Sequence, residues 1–311
     1  MLLTRLTHYS VILMISGLLQ LIGFKANAAT SVPVHPRQID LSGNVFQFSM
    51  PENFSKDMPA ADMVEQLDIK DIKKFDDPEY GNIIRRWWDI KRPGFFGKDI
   101  GIVMMDMSVQ RVPDNQQKIL HGKPYDISNR LDFLMMIYDQ LHQTYDQLNE
   151  ETQSNYEGIN AYEYGCCHLI GDDIRSHYRD YTYNNQKWIG YSVSAPNSQL
   201  IVGFVMPLTA DVYLELVFTY SPNHNILPNE FLRIADETTQ PIEDSLYVNF
   251  APQNPFKTLV EDEWINTTNT DILMMHKEEI LVPLFGPDIR QQLEESKRKA
   301  IELMEEINQS D

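Results

Sequence analysis

The sequence predicts an α+β fold, mainly antiparallel sheet with flanking helices, plus a helix at the C-terminal end. Three observations predict it. Segments of alternating or apolar character follow one another through short turn sequences such as Asn184-Asn185, with no helix between them, which is how antiparallel strands are joined. Leu200–Met206 (LIVGFVM) is nearly all apolar, as expected of a central strand covered on both faces. Residues Leu131, Leu134, Tyr138, Leu141, Tyr145 and Leu148 recur in steps of three and four, which places them on one helical face ready to pack on a sheet.

Taken in order, Met1–Ala28 reads as a secretory signal peptide. Arg5 lies in a positive n-region, Val11–Phe24 is an apolar core of 14 residues, and Ala26-Asn27-Ala28 fits the small-residue cleavage pattern. That core falls short of the roughly 20 residues a bilayer span needs, and no cysteine follows it to carry lipid. The expected location is therefore the periplasm or cell exterior, with no stable membrane anchor after cleavage. Residues 29–39, with Pro33 and Pro36 and no periodicity, read as a mobile leader.

The main domain is assigned to residues 40–250. Val45–Met50 alternates and stops at Pro51, a strand. Met58–Lys74 carries Met63, Leu67, Ile69 and Ile72 and reads as a short helix. Ile83–Ile90 and Ile100–Val109 are strands separated by the Pro- and Gly-bearing Lys91–Lys98, and Arg111–Tyr125 is a loop. The Leu131–Leu148 helix takes its cap from Ser128 or Asn129. Gly158–Ile170 and Arg175–Tyr183 read as strands around a turn at Gly171–Asp173, followed by strands over Trp188–Ser194 and Leu200–Met206. In Val212–Tyr220, the residues Val212, Leu214, Leu216, Phe218 and Tyr220 share one face. A second helix, capped by Asn229, bears Phe231, Ile234 and Ala235 and is kinked by Pro241 before Ile242 and Leu246. Residues 251–311 form an extension: Phe250–Asp271 is loop-like, and Pro287–Ile307 is a third helix with Ile289, Leu293, Ala300, Met304 and Ile307 on its apolar face.

Function is read first by exclusion. The chain has 26 Lys+Arg against 45 Asp+Glu, a formal charge of −19, so it repels nucleic acid and anionic lipid and is compatible with a cationic partner. There is no G-x-S-x-G, H-E-x-x-H, Walker A or G-x-G-x-x-G pattern. The only cysteines, Cys166 and Cys167, are adjacent. Their Cα atoms sit about 3.8 Å apart across a trans peptide, closer than a relaxed disulfide, so they read as two reduced cysteines on opposite faces of one strand, against a strained vicinal disulfide. The expectation is a non-enzyme without a cofactor. The alternative is a metal-dependent hydrolase: His168, Asp172, Asp173 and His177 flank one predicted hairpin turn and supply imidazole and carboxylate donors suited to Zn²⁺. A second alternative is an envelope scaffold or assembly protein docking through its C-terminal helix.

The binding reading rests on aromatic residues. There are 15 Tyr, 14 Phe and 4 Trp, and amphipathic rings on a sheet are effective protein-binding anchors. Of the adjacent Trp87 and Trp88, one should face outward on a strand. With Tyr181 and Tyr183 of an alternating Tyr178–Tyr183 run, and the acidic run Glu261, Asp262 and Glu263, they are the expected contacts to a partner. Val45–Phe54 (VFQFSMPENF), the meander Trp188–Tyr220 and the helix ending near Ile242–Leu246 together resemble Mog1/PsbP-type proteins over roughly residues 40–250. The C-terminal helix lies outside that pattern. Several secreted bacterial proteins of this type are immunity proteins, so the resemblance implies neutralisation of a basic secreted toxin of the kind delivered by type VI secretion.

Overall fold

The computed structural model describes residues 33–56, 58, 60, 62–93, 97–113, 125–154, 168–170, 178–195, 199–223 and 226–263. Strands β1 (Val34–Leu41) and β2 (Asn44–Pro51) form a hairpin through Ser42-Gly43, whose φ values of 56° and 93° give a turn twisted to match the strands. With β3 (Gln66–Leu67) and β11 (Tyr247–Asn249) they make a small sheet of order β11-β2-β1-β3, in which only the two-residue β1–β3 contact is parallel. The large sheet is antiparallel throughout: β4 (Asn82–Lys91), β5 (Asp99–Arg111), β10 (Val212–Pro222), β9 (Gln199–Pro207) and β8 (Gln186–Ala195) lie side by side. The far edge of β8 is shared by β6 (Leu169–Ile170) and β7 (Tyr178–Tyr183). The mainly antiparallel α+β class is as the sequence predicts.

The register assigns every side chain of the large sheet to a face. One face carries Trp88, Met105, Leu216, Phe218, Phe204, Trp188 and Tyr183, all buried. It is covered by the small sheet and by helix α2 (Pro228–Glu243). Phe46 of β2 meets Trp188 with ring centroids 6.5 Å apart, and Trp88 donates its Nε1–H to the Pro51 carbonyl at 3.3 Å. The other face is covered by helix α1 (Arg130–Ser154), where Phe133 packs edge-on against Tyr213 and the Tyr213 hydroxyl donates to Gln140 Oε1 at 2.8 Å. Asn129 caps α1, its Oδ1 accepting from the Asp132 amide, as expected.

Several boundaries differ from expectation. Residues 34–38 of the expected leader are in β1, paired residue for residue with β2, and the prolines are tolerated because Pro36 lies beyond the two residues that β3 pairs. Instead of a helix, 58–74 contains β3 and the start of a 3₁₀ turn at Ile72–Asp76; its apolar residues are buried singly, Leu67 and Ile69 against the core and Ile72 partly. Pro228 and not Asn229 opens α2, after Leu227 and without a side-chain cap. Pro241 lies within the last turn of α2, and the helix continues through it to Glu243. Beyond residue 250, a turn of helix at Phe256–Thr258 and a π turn at Leu259–Glu263 bring Phe256 and Val260 into the core, so the folded unit extends on both sides of 40–250. The expected strand over Gly158–Ile170 is described only at Leu169–Ile170. Cys166, Cys167 and the helix Pro287–Ile307 lie outside the described residues.

Two glycines let tyrosines lie across the sheet. Tyr191 of β8 covers Gly203 of β9, its directly paired neighbour, and reaches Glu215 Oε1 at 2.8 Å. A methyl at Gly203 would sit 2.0 Å from Tyr191 Cζ. Gly203→Ala is expected to displace that ring, break its bond to Glu215 and cost about 1–3 kcal/mol. The check is a lower urea midpoint at unchanged m-value.

Candidate protein-binding surface

The expected contacts divide between the two faces of the large sheet. Trp88 is only 1% exposed and belongs to the core, so of the tryptophan pair Trp87 is the outward one, half-buried on the α1 side. There the register sets Trp87, Met104, Thr219 and Ile201 in a cross-strand row, all half-buried. Beside Trp87, Arg85 and Asp106 are directly paired across β4 and β5 and form an ion pair.

Tyr181 and Tyr183 project from β7 toward α2. The period of two puts them on one face, and their rings stack with centroids 6.1 Å apart. Tyr183 is buried, donating its hydroxyl to Glu243 Oε2 at 3.0 Å, and is not itself a surface contact. Tyr181 stays half-exposed: it lies over Gly190, where a methyl would sit 2.3 Å from its Cε2, and meets Phe204 edge-on at 5.0 Å. The hairpin is held to α2 by Asn184, whose Nδ2 donates to the carbonyls of Asp244 and Leu246.

Carboxylates surround this tyrosine pair. Burial pushes the Glu243 carboxyl up to about 7, and the negative charges of Asp236 and Asp244 act in the same direction against the Tyr183 hydrogen bond. Asp236 is raised by burial and by the charges of Asp244 and Glu237. Burial raises Tyr181, Tyr183 and Tyr220, with the Glu243 charge adding to each; at Tyr181 the Arg179 charge acts in the opposite direction. Among the described residues no lysine or arginine forms an ion pair with Asp236, Glu243 or Asp244. Sequence reasoning missed this cluster. Its signal is the i, i+7 spacing of Asp236 and Glu243, two turns apart on one helix face.

The remaining expected residues are placed as follows. Glu261 lies in the π turn, partly buried; Asp262 and Glu263 share that turn. His168 is held through its backbone, its amide donating to Asn149 Oδ1 at 2.8 Å and its carbonyl accepting from Asn149 Nδ2 at 2.7 Å. Its ring tilts against Tyr145 at 4.7 Å, and burial lowers its pKa, favouring the neutral form. Asp172, Asp173 and His177 lie outside the described residues, and among the described residues no group of three or more His, Cys, Asp or Glu is placed to hold a metal. Among them, too, no helix is long and apolar enough to cross a membrane.

The fold and surface therefore define a two-sheet α+β protein in which a tyrosine pair of an edge strand meets carboxylates at the end of a helix. No protein-family model and no curated protein matches the chain. Among solved structures it is similar to cyanobacterial PsbP (CyanoP) from Synechocystis sp. PCC 6803, with 7% identity, a TM-score of 0.33, and coverage of 73% of this chain and 98% of that one.

Glu243 has a consequence for stability. An acid raised from 4.5 to about 7 on folding holds its proton more tightly in the native state, so stability falls as pH rises between those values and stays reduced above them. Glu243→Gln keeps an acceptor for Tyr183 and removes the ionisation. It is expected to raise stability at pH 8 by about 1–3 kcal/mol and to leave it nearly unchanged at pH 4, read as urea unfolding at the two pH values.

Proposed function

We propose that this chain is a periplasmic binding protein that captures and neutralises a basic protein partner, and specifically that it acts as an immunity protein against a toxin delivered by neighbouring cells. The observation that carries this reading is the half-exposed Tyr181, stacked on Tyr183 beside the carboxylates of Asp236, Glu243 and Asp244. An aromatic ring next to carboxylates that form no ion pair among the described residues is suited to a lysine or arginine side chain, which gains both ring contact and charge pairing. The net charge of −19 adds long-range attraction for a basic protein. The signal-like Met1–Ala28 segment supports the location, and the resemblance to Mog1/PsbP-type immunity proteins supports the role. The Trp87 row is a second, flatter contact area of mixed polarity.

The test is recovery of the partner from cells of the source organism with tagged protein beginning at Ala29, in parallel with the double variant Tyr181→Ala/Asp236→Asn. The expected result is one stoichiometric basic protein that the double variant loses and whose capture declines steeply between low and moderate salt, as electrostatic steering requires. Expression of that protein in a naive host should arrest growth, and co-expression of this chain should restore it. A partner that is not toxic, or whose toxicity persists, would overturn the immunity role. A partner retained equally by the double variant would remove the tyrosine–carboxylate cluster from the interface.

A further inference from the structure

Among the described residues the large sheet ends on one side at β7, and no other strand pairs with its outer edge. The hairpin to β8 turns through Asn184 and Asn185, with φ of 48° and 65°, so Tyr183 and Gln186 flank a two-residue turn and exchange both of their backbone hydrogen bonds. The alternate pairs Tyr181–Trp188 and Arg179–Gly190 do the same. The N–H and C=O groups of Asp180 and Thr182 therefore point away from β8, and among the described residues no strand or loop backbone pairs with them. Other edges of the molecule are treated differently. At the outer edge of β4 the Ser55 amide donates to the Trp87 carbonyl at 2.7 Å and the Val64 amide to the Ile83 carbonyl at 3.1 Å. The edge of β11 is closed by the Gln186 side chain, which accepts from the Val248 amide at 2.8 Å and donates to its carbonyl at 2.7 Å. The long edge of β1 carries Pro36. β7, Tyr-Arg-Asp-Tyr-Thr-Tyr, contains no proline or lysine; of its two charged residues, Asp180 is held by Arg130 of α1, and Arg179 lies on the Tyr181 side.

We propose that this edge is a docking strand: an extended segment of the partner, carrying lysine or arginine at alternate positions, adds to β7 as a further strand. The inference rests on the binding function proposed above and states how the partner is held. Backbone groups of Asp180 and Thr182 supply the pairing, which is independent of the partner's sequence. A side chain on one face of the added strand falls alongside the half-exposed Tyr181, where the nearby carboxylates of Asp236, Glu243 and Asp244 favour positive charge. The same charge excludes self-pairing. A second copy joined through β7 would bring two such carboxylate clusters together on chains that each carry a net −19.

The test uses the full chain and a capped seven-residue peptide of alternating lysine and threonine. Three controls accompany it: the same peptide with methylated threonine backbone nitrogens, a glutamate-for-lysine peptide, and the variant Thr182→Pro. In amide spectra the lysine peptide is expected to shift residues 178–183 with a dissociation constant of about 1 mM or tighter, as a short unoptimised strand should. Backbone methylation of the peptide, which leaves the protein untouched, is expected to weaken binding at least about tenfold, as is glutamate substitution. Thr182→Pro, scored only if its spectrum remains folded, should match them. Absence of binding, binding indifferent to backbone methylation, or a dimer that dissociates when Thr182 is changed would each overturn the docking strand. If the natural partner is still captured in those cases, the binding function stands and only its mode is wrong; if no partner is captured at all, the binding function itself fails.

Discussion

The rest of the structure depends on one constraint: the central strands of the large sheet have apolar residues on both faces, so each face must be covered. β10 shows it most directly. Val212, Leu214, Leu216 and Phe218 on one side are fully buried, and Tyr213 on the other is 3% exposed. Burial of such side chains supplies roughly 1.5–3 kcal/mol each and outweighs any local preference of the connecting segments. The chain meets the constraint with unlike covers, the small sheet with α2 on one face and α1 on the other. The hydrogen bonds that lock these covers in place, Trp88 to Pro51 and Tyr213 to Gln140, come from the polar tips of buried aromatics.

Covering one face with two elements of different kind leaves a margin where β7 meets the end of α2. The small sheet packs over Trp188 and α2 over Tyr220, and β7 projects at the margin of that cover. A carboxyl placed there, as Glu243 is, costs stability when ionised. Its single hydrogen bond from Tyr183 offsets only part of the cost of burial. Gly190 belongs to the same arrangement, since only a residue without a side chain lets Tyr181 lie over β8.

Much of the fold was legible in the sequence because burial leaves a periodic trace. The unbroken run from Leu200 to Met206 reports two-sided cover directly, and the alternation from Val212 to Tyr220 marks one covered face but not the cover of Tyr213 on the other. The tryptophan pair was legible only as a choice between two residues, since alternation states that one faces inward without stating which. Residues 34–38 were misread because Pro33 and Pro36 are the chemistry of a loop, and a strand pairing along one edge satisfies them equally. Residues 58–74 were misread because Met63, Leu67, Ile69 and Ile72 approximate a helical spacing while each is covered separately by local turns. The tyrosine–carboxylate cluster was half legible. Tyr181 and Tyr183 stand out in any reading of the strand, but Asp236 and Glu243 look like the wet face of an amphipathic helix until a strand some 60 residues away closes over them.

The pairing of β2 with β11 joins the beginning of the folded unit to its end, Phe46 lying opposite Val248. Asn44 extends the same closure, its Oδ1 accepting from the Ala251 amide and from Asn254 Nδ2 at 3.0 Å each. A chain emerging vectorially from a ribosome or a translocation channel thus leaves the β2 edge beside Phe46 unpaired until Tyr247–Asn249 appear. The small sheet cannot be completed early, and the interval before closure grows with every intervening residue. During that interval the hairpin of β1 and β2 is a sticky, half-made surface, and whatever escorts the nascent chain must shield its two ends together rather than in turn.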